Sequence, residues 1–323
     1  MAMERNRQRV GRWASTMDDE WNWHSKQPHL IIGLGELLWD VLPSGPRLGG
    51  APANFSVMAG RLGNHATILS RIGRDDFGRQ AMEFLDPLPV DAGLVQVDPA
   101  HDSGLVTVEL DGGQPRYTIH EAVAWDFLEL SDEWVRAAER ADVICFGSLA
   151  QRCRISRQTI QTLVAETSSA CIRIFDVNLR SPFYSGEVLE ESLELATVVK
   201  MNDAEVPVVM NLLGLPCESG SDQDWLVVSA QRLLEGFPAL QMAAVTRGAA
   251  GSLLVKREEW HEHPGVAAEV ADTVGAGDAF TAALAHSMLR GANLAAMNEA
   301  GNRWGAWVAS QPGAMPGLPD DAR

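Results

Sequence analysis

The 323-residue sequence is poor in lysine and in basic residues generally. Its lysines are Lys26, Lys200 and Lys256, and 26 lysines and arginines stand against 43 aspartates and glutamates, a net charge of −17. A chain of this charge lacks the basic surface that binds nucleic acid, and it is repelled by anionic membranes. Because no lysine follows a glycine, the sequence also excludes a P-loop, which requires Gly-Lys-Ser/Thr.

Cysteines and long apolar runs are scarce as well. The four cysteines have neither CxxC nor zinc-site spacing, which is typical of a reducing compartment and predicts a cytoplasmic protein. No apolar run reaches the roughly 18 residues of a membrane-spanning helix. The charged N-terminus has no apolar core of a secretory signal. We expect residues 1–28 to be an extension outside the fold and residues 29–323 to form the folded domain.

From His29 onward, short apolar runs alternate with segments of helical periodicity. HLIIGLG, ADVICFGSLA, IRIFDVNL, ATVVKMND and QMAAVTRG predict buried strands. This alternation indicates an α/β fold with a mostly parallel sheet, in which ligands bind at the carboxyl ends of the strands. Residues 104–119 alternate apolar and polar positions around a Gly-Gly turn, which predicts a β-hairpin in a separate small sheet. GSLLVK and GVAAEVAD are predicted to be later antiparallel strands.

The clearest candidate for a site is the segment GAGD at the start of a predicted helix. Gly275, Ala276 and Gly277 let backbone N–H groups approach an anion, and a helix N-terminus attracts negative charge. Asp278 follows in the first helical turn. Taken alone, the segment would also suit a glycine turn capped by an aspartate. A dinucleotide-binding fingerprint is excluded, because Leu38 stands where the third glycine of GxGxxG is required.

Five segments, in the same order along the chain, resemble the PfkB/ribokinase-type carbohydrate kinases. They are LGGAPANFSVMAGRLG (48–63), RIGRDDFG (71–78), KMNDAE (200–205), VTRGAAG (245–251) and DTVGAGDAF (272–280). GELLWDVLP, GGAPAN, the AWD at 124–126 and FDVNLRSPFYS (175–185) are most similar to the fructokinase branch. The resemblance implies a ribokinase-like three-layer α/β/α carbohydrate kinase domain over residues 29–323. Its small β-sheet lid would come from about 36–48 and 101–124.

The resemblance also implies transfer of the γ-phosphoryl group of ATP to a sugar hydroxyl, most similar to a fructokinase. Asp278 matches the family's catalytic base, and Gly275, Ala276 and Gly277 match its anion hole. The residues that match the sugar site are Asp40, Gly49, Gly50, Asn54 and Arg180. Arg180 would equally suit a structural salt bridge. The residues that match the nucleotide site are Asn202, Glu205, Thr246, Gly248, Gly251 and Asn302.

Two cations follow from the same resemblance. Asn202 and Glu205 match the element that organises Mg²⁺, with Glu205 expected to act through water because Mg²⁺ keeps several waters. Asp272 matches a position that helps to hold a monovalent cation such as K⁺. The expected partners are therefore a small sugar and ATP, without nucleic acid or membrane, and a homodimer formed through the lid. Packing of the lid on its own domain is the alternative to the dimer.

Other functions remain compatible with the sequence. Ribose, 2-keto-3-deoxygluconate or a nucleoside could replace fructose, and a carboxylate-bearing substrate would need an arginine such as Arg180. The lid has no cluster of basic residues beyond Arg47 and Arg116, which favours an uncharged sugar over a sugar phosphate. A relative that binds sugar or nucleotide without catalysis is the hypothesis from a different class. The retained Asp278 argues against it.

Overall fold

The computed structural model of the chain describes residues 28–319, with the exception of residue 43, residues 112–113 and residues 218–223. The predicted N-terminal extension, apart from Pro28, lies outside the described residues. None of the described helices has both the length and the apolarity needed to cross a membrane.

Strands and helices alternate along most of the described chain. The strands are β1 (Leu30–Leu34), β2 (Leu38–Leu42), β3 (Gly45–Gly49), β4 (His65–Leu69), β5 (Arg71–Gly73), β6 (Gln96–Asp98), β7 (Gly104–Asp111), β8 (Gln114–Ile119), β9 (Val143–Gly147), β10 (Ile172–Asp176), β11 (Val198–Asn202), β12 (Met242–Thr246), β13 (Ser252–Val255) and β14 (Trp260–His263). The α-helices are α1 (Ala51–Arg61), α2 (Asp76–Leu85), α3 (Asp132–Arg140), α4 (Arg154–Ala165), α5 (Gly186–Leu195), α6 (Glu205–Leu212), α7 (Asp224–Gly236), α8 (Ala276–Leu289) and α9 (Leu294–Ala309).

The central sheet has the order β14-β13-β12-β11-β10-β9-β1-β4. The six strands from β12 to β4 run parallel, and β13 and β14 continue the sheet in antiparallel pairing. Neighbouring residues of a strand point to opposite faces of the sheet. Ile32 accordingly packs in the core beneath α3–α7, whereas Ile31 packs against α1, α8 and α9. The predicted three-layer α/β/α fold is confirmed.

A second sheet of four strands, in the order β3-β2-β7-β8, covers one end of the central sheet and forms the lid. The predicted hairpin is present as the antiparallel pair β7 and β8, and β2 pairs in parallel with β7. Trp39 and Leu48 at the base of the lid are buried in an apolar cluster with Val57 of α1 and Ile68 of β4. This cluster fixes the base of the lid to the sheet edge at which α1 begins.

One predicted strand is wrong. GSLLVK forms β13, but its antiparallel partner is Trp260–His263 and not GVAAEVAD, which contains no strand. The hairpin closes immediately after β13, where the Lys256 N–H donates to the Glu259 carbonyl. Pro264 then follows β14 without an N–H to donate, and Gly265 has a φ of +91°. Pairing therefore stops before the apolar segment begins.

Candidate active site

The predicted site residues lie where the central strands end. β10 ends at Asp176, β11 at Asn202 and β12 at Thr246. These strands are parallel, so their carboxyl ends share one edge of the sheet. Open α/β sheets bind ligands at this edge. The space bordered by these loops, the starts of α1 and α8, and the lid is called the cleft. Asn54 of α1 contacts Asp278 of α8 there, and Arg47 of the lid pairs with Asp272 just before α8.

The turn before α8 is built to approach an anion. Gly275 is the residue before the helix and has a φ of +80°, and no side chain caps the first turn. A Cβ atom on Gly275 would lie 2.7 Å from the Ala314 backbone, so the turn requires glycine for space as well as for conformation. A Cβ atom on Gly277 in the first turn would meet only the Lys200 side chain, with the Nζ at 2.9 Å. The first N–H groups of α8 thus lie in a rigid turn with a partial positive charge.

Asp278 lies in the first turn of α8 and contacts α1. The Asn54 Nδ2 donates a hydrogen bond of 2.7 Å to its Oδ2. Burial and the charge of Asp176 raise the Asp278 pKa to about 6, against lowering by Lys200, the Asn54 hydrogen bond and Arg180. The carboxyl is therefore mainly ionised at neutral pH, yet basic enough to accept a proton from a hydroxyl group.

Asp40 and the glycine pair 49–50 face the same cleft from the lid. A Cβ atom on Gly49 would lie 3.2 Å from the Asp40 Oδ2, and one on Gly50 would lie 2.3 Å from the Glu36 carbonyl oxygen. Burial raises the Asp40 pKa, while Arg180 lowers it. Arg180 is exposed, and its guanidinium donates to the Leu179 carbonyl oxygen. Its charge lowers the pKa of both Asp40 and Asp278, so this arginine lies near the other four predicted sugar-site residues.

Glu36 also belongs to this cleft and was missed by the sequence analysis. It is 4% exposed, and its Oε1 accepts a 3.3 Å hydrogen bond from the Ala51 N–H at the start of α1. Its Oε2 is buried without a hydrogen-bond partner among the described residues. Burial raises the Glu36 pKa to about 7. The available signal was an acidic residue placed directly after a buried strand, at the edge where ligands bind.

Asn202 and Glu205 hold each other across the turn between β11 and α6. The Glu205 N–H donates to Asn202 Oδ1 at 2.9 Å, and the Asn202 N–H donates to Glu205 Oε2 at 2.8 Å. The Leu179 N–H donates to Glu205 Oε1 at 2.8 Å. Each carboxylate oxygen retains a second lone pair. This donor set fits water-mediated contact with Mg²⁺ better than direct ligation, and the described residues contain no cluster of three or more metal-ligating side chains.

The predicted nucleotide loop is a tight turn between β12 and β13. Gly248 and Gly251 have φ angles of +55° and +83°, and a Cβ atom on Gly251 would lie 2.0 Å from the His263 carbonyl oxygen. The Arg247 N–H donates to the Gly251 carbonyl at 2.7 Å. Thr246 ends β12 at the cleft edge. The glycines thus shape the loop, and the Thr246 hydroxyl donates to the Met201 carbonyl oxygen at 3.5 Å.

Asn302 and Asp272 are engaged by the protein itself. Asn302 is 8% exposed, and its Nδ2 donates to Ser252 Oγ at 2.7 Å and to the Asn298 carbonyl at 2.8 Å. The place of Asn302 in the nucleotide site stays a prediction. Asp272 Oδ2 forms an ion pair of 2.9 Å with Arg47 of the lid. A guanidinium cation paired with this carboxylate does not fit a K⁺ site.

Comparison with known proteins identifies the family of this chain. The model of the pfkB family of carbohydrate kinases matches residues 45–321. The chain belongs to this family. It is 32% identical over 308 residues to the fructokinase of Klebsiella pneumoniae, a match that covers 88% of this chain and 95% of that protein.

Solved structures of the family have the same fold. A sugar kinase from Pyrococcus horikoshii in complex with ATP is 29% identical and superposes with a TM-score of 0.77, covering 91% of this chain and 96% of its own. The fructokinase of Vibrio cholerae in its fructose, ADP and calcium-bound form is 26% identical, with a TM-score of 0.73 and coverage of 90% and 96%. This chain is accordingly a sugar kinase.

Proposed function

We propose that this sugar kinase is a fructokinase, which transfers the γ-phosphoryl group of ATP to a hydroxyl of fructose. The observation that carries the proposal is the hydrogen bond between Asn54 and Asp278. It joins the helix that begins at the glycine pair to the helix that begins at the anion-binding turn. A sugar bound at the first helix would thereby have a hydroxyl beside a carboxylate and beside backbone donors for phosphate.

Asp278 is the proposed general base. Phosphoryl transfer needs a positioned hydroxyl, a group that accepts its proton and fixed dipoles for the charge of the transferred group. With a pKa of about 6, Asp278 can accept the hydroxyl proton at neutral pH. Asn54 orients the carboxylate, and its own Oδ1 is buried without a partner among the described residues. That oxygen can accept a hydrogen bond from a second sugar hydroxyl.

Asp40 and Arg180 are the proposed contacts on the opposite side of the sugar. A carboxylate accepts hydrogen bonds from hydroxyl groups, and an arginine donates to their oxygens. Arg47 of the lid is already paired with Asp272, so this side chain is not a free anchor for a sugar phosphate. The arrangement supports an uncharged sugar. The similarity to two fructokinases of bacterial origin supports fructose in particular.

The nucleotide is proposed to lie along the ends of β11 and β12. Asn202 and Glu205 would hold the hydration shell of Mg²⁺, and Thr246 with the loop at Gly248 would border the nucleotide. When bound, the metal supplies charge neutralisation on the phosphates. The backbone N–H groups at the Gly275 turn would hydrogen-bond the phosphoryl group while it moves from ATP to the sugar hydroxyl. A homodimer through the lid stays a prediction, which light scattering on the purified protein would test.

The test is an assay of ADP release with Mg²⁺ and ATP against a panel of fructose, ribose, 2-keto-3-deoxygluconate and nucleosides. Asp278→Asn is expected to lower kcat about 10²–10⁴-fold, because it removes the base. Asp132→Asn is the matched control, since Asp132 is an exposed aspartate in the first turn of α3. Turnover of another panel member would replace the substrate but keep the mechanism. A fully active Asp278→Asn enzyme would refute the mechanism.

A further inference from the structure

A lysine is buried behind the anion-binding turn. Lys200 on β11 is 7% exposed, and its Nζ donates to both carboxylate oxygens of Asp176 at 3.1 Å. Asp176 ends the neighbouring strand β10 and is 4% exposed. The Thr281 hydroxyl on α8 donates to Asp176 Oδ2 at 3.2 Å. Two strands and the helix of the anion-binding turn therefore fix the position of this ammonium group.

The ammonium group packs directly against the backbone of Gly277. A Cβ atom built on Gly277 would lie 2.9 Å from the Lys200 Nζ, so the lysine occupies the space that a side chain there would need. Burial alone would lower the Lys200 pKa, but the carboxylates of Asp176, Asp278 and Glu205 raise it above its usual value. Lys200 is thus a permanent cation between the proposed base and the nucleotide element.

Burying such an ion pair has a cost. Each ion loses several kcal/mol of hydration, and an apolar pair of similar volume is often as stable or more stable. Stability alone therefore gives little reason for a lysine at this point. A fixed charge in a protected site acts strongly on negative charge that develops close to it. The turn in front of Lys200 is where the transferred phosphoryl group would arrive.

We propose that Lys200 is a positioning residue for phosphoryl transfer, which Asp176 anchors behind Gly277. Its ammonium group holds the turn in place and adds a fixed positive charge behind the backbone donors. The charge acts through the turn on the phosphoryl group in transit. This inference rests on the proposed function, because it assumes that a phosphoryl group arrives at the turn.

The first test separates this role from simple neutralisation of Asp176. Lys200→Met, Asp176→Asn and the double variant are assayed at about pH 8.5, where Asp278 is ionised. Lys200→Met is expected to lower kcat about 10²–10³-fold, as does loss of other fixed donors to a transition state. The double variant removes the Asp176 carboxylate that Lys200→Met leaves unpaired, but it still lacks the Lys200 charge. Its kcat should therefore stay within about threefold of that of Lys200→Met. Recovery to within about tenfold of wild type would overturn the proposal.

Two further variants serve as controls. One keeps the positive charge at position 200, and the other removes a lysine elsewhere in the chain. Lys200→Arg keeps the charge with a wider head group, and it is expected to retain at least about tenfold more activity than Lys200→Met. Lys256→Met removes the other described lysine, which forms an exposed pair with Glu259, and should leave kcat unchanged. Melting temperatures confirm that each variant is folded. The double variant is expected to fold, because removing both partners of a buried pair leaves no unpaired charge.

The second test measures binding and needs no turnover. Calorimetry measures the affinity for two ligands. One is the complex of ADP and aluminium fluoride, in which aluminium fluoride imitates the transferred group, and the other is ADP alone. In the double variant the analogue should bind at least about 30-fold more weakly while ADP changes less than about threefold. Equal losses for both ligands would refute the role. If the wild type turns over no sugar, but the double variant loses affinity for the analogue and not for ADP, the proposed function fails and the assignment of Lys200 stands.

Discussion

Replacing Asn54 with leucine removes the hydrogen bond that stabilises the ionised form of Asp278. The bond is 2.7 Å long and ends on a carboxylate oxygen. A hydrogen bond to a charged group contributes about 1.5–3 kcal/mol, and about 1.4 kcal/mol corresponds to one pKa unit. The Asp278 pKa, about 6 in the wild type, should therefore rise by about 1–2 units. Partial exposure of Asp278 to the cleft favours the lower end of this range.

The sign of the effect on activity follows from the role of a base. As the proposed base, Asp278 would act in its ionised form, so activity is expected above its pKa and is lost as the pH falls through that value. The acidic limb of kcat/KM for the sugar in Asn54→Leu should move upward by about 1–2 pH units. KM should rise at every pH as well, because Asn54 is a proposed sugar contact. The pH position of the acidic limb does not depend on this rise in KM, because the rise is the same at every pH.

Asp176→Asn is the counterpart with the opposite sign. The Asp176 charge raises the Asp278 pKa, so its removal should move the acidic limb downward. General damage to the fold would not move the acidic limb upward in Asn54→Leu and downward in Asp176→Asn. The experiment is a series of kcat/KM measurements from about pH 5 to 9 on wild type and both variants. A limb in Asn54→Leu that stays in place or moves downward would refute the assigned hydrogen bond and base.

Three further outcomes are expected. Gly275→Ala should lower kcat about 10²–10³-fold by displacing the anion-binding turn, whereas Gly291→Ala, with a φ of +70° and open space, should lower only the melting temperature. Glu36 has a folded pKa of about 7 against 4.5 unfolded, so its contribution to stability is lost as the pH rises through about 7. Glu36→Gln should therefore gain about 3 kcal/mol relative to wild type between about pH 4.5 and 8 in denaturant unfolding. Replacing Na⁺ with K⁺ should change wild-type activity less than about twofold, and Arg47→Ala, which frees Asp272, should respond more strongly. A stability difference between Glu36→Gln and wild type that is independent of pH would contradict the second prediction. Equal responses of wild type and Arg47→Ala to K⁺ would contradict the third.

The backbone of the site follows closely from local sequence. Apolar runs of about five residues predicted five of the six parallel strands, β1 and β9–β12, because a parallel sheet is buried on both faces. The turn at Gly275 was predicted because glycine conformation and helix start are local properties. The segment GVAAEVAD was misassigned as a strand, since Pro264 and Gly265 ended the pairing before its apolar residues could take part.

Side-chain partners could not be predicted in the same way. The Asn54–Asp278 bond joins residues 224 positions apart, and the Arg47–Asp272 pair joins residues 225 apart. Lys200 lies within a motif that the sequence analysis used, yet its contact with Gly277 depends on how α8 packs against β11. Such contacts depend on the packing of whole helices and strands. Periodicity along a single segment does not specify them.

The contact between α1 and α8 has a consequence for biosynthesis. The proposed sugar contact on α1 lies near the beginning of the described chain and the proposed base on α8 near its end, and the two helices pack together in one core. A nascent chain of which only the first two thirds have left the ribosome contains the glycine pair 49–50 and Asn54, but it does not yet contain Asp278. With Asp278 as the proposed base, a growing chain is not expected to phosphorylate sugar until α8 has been made and has packed against α1. The onset of enzyme activity is then expected to mark that step.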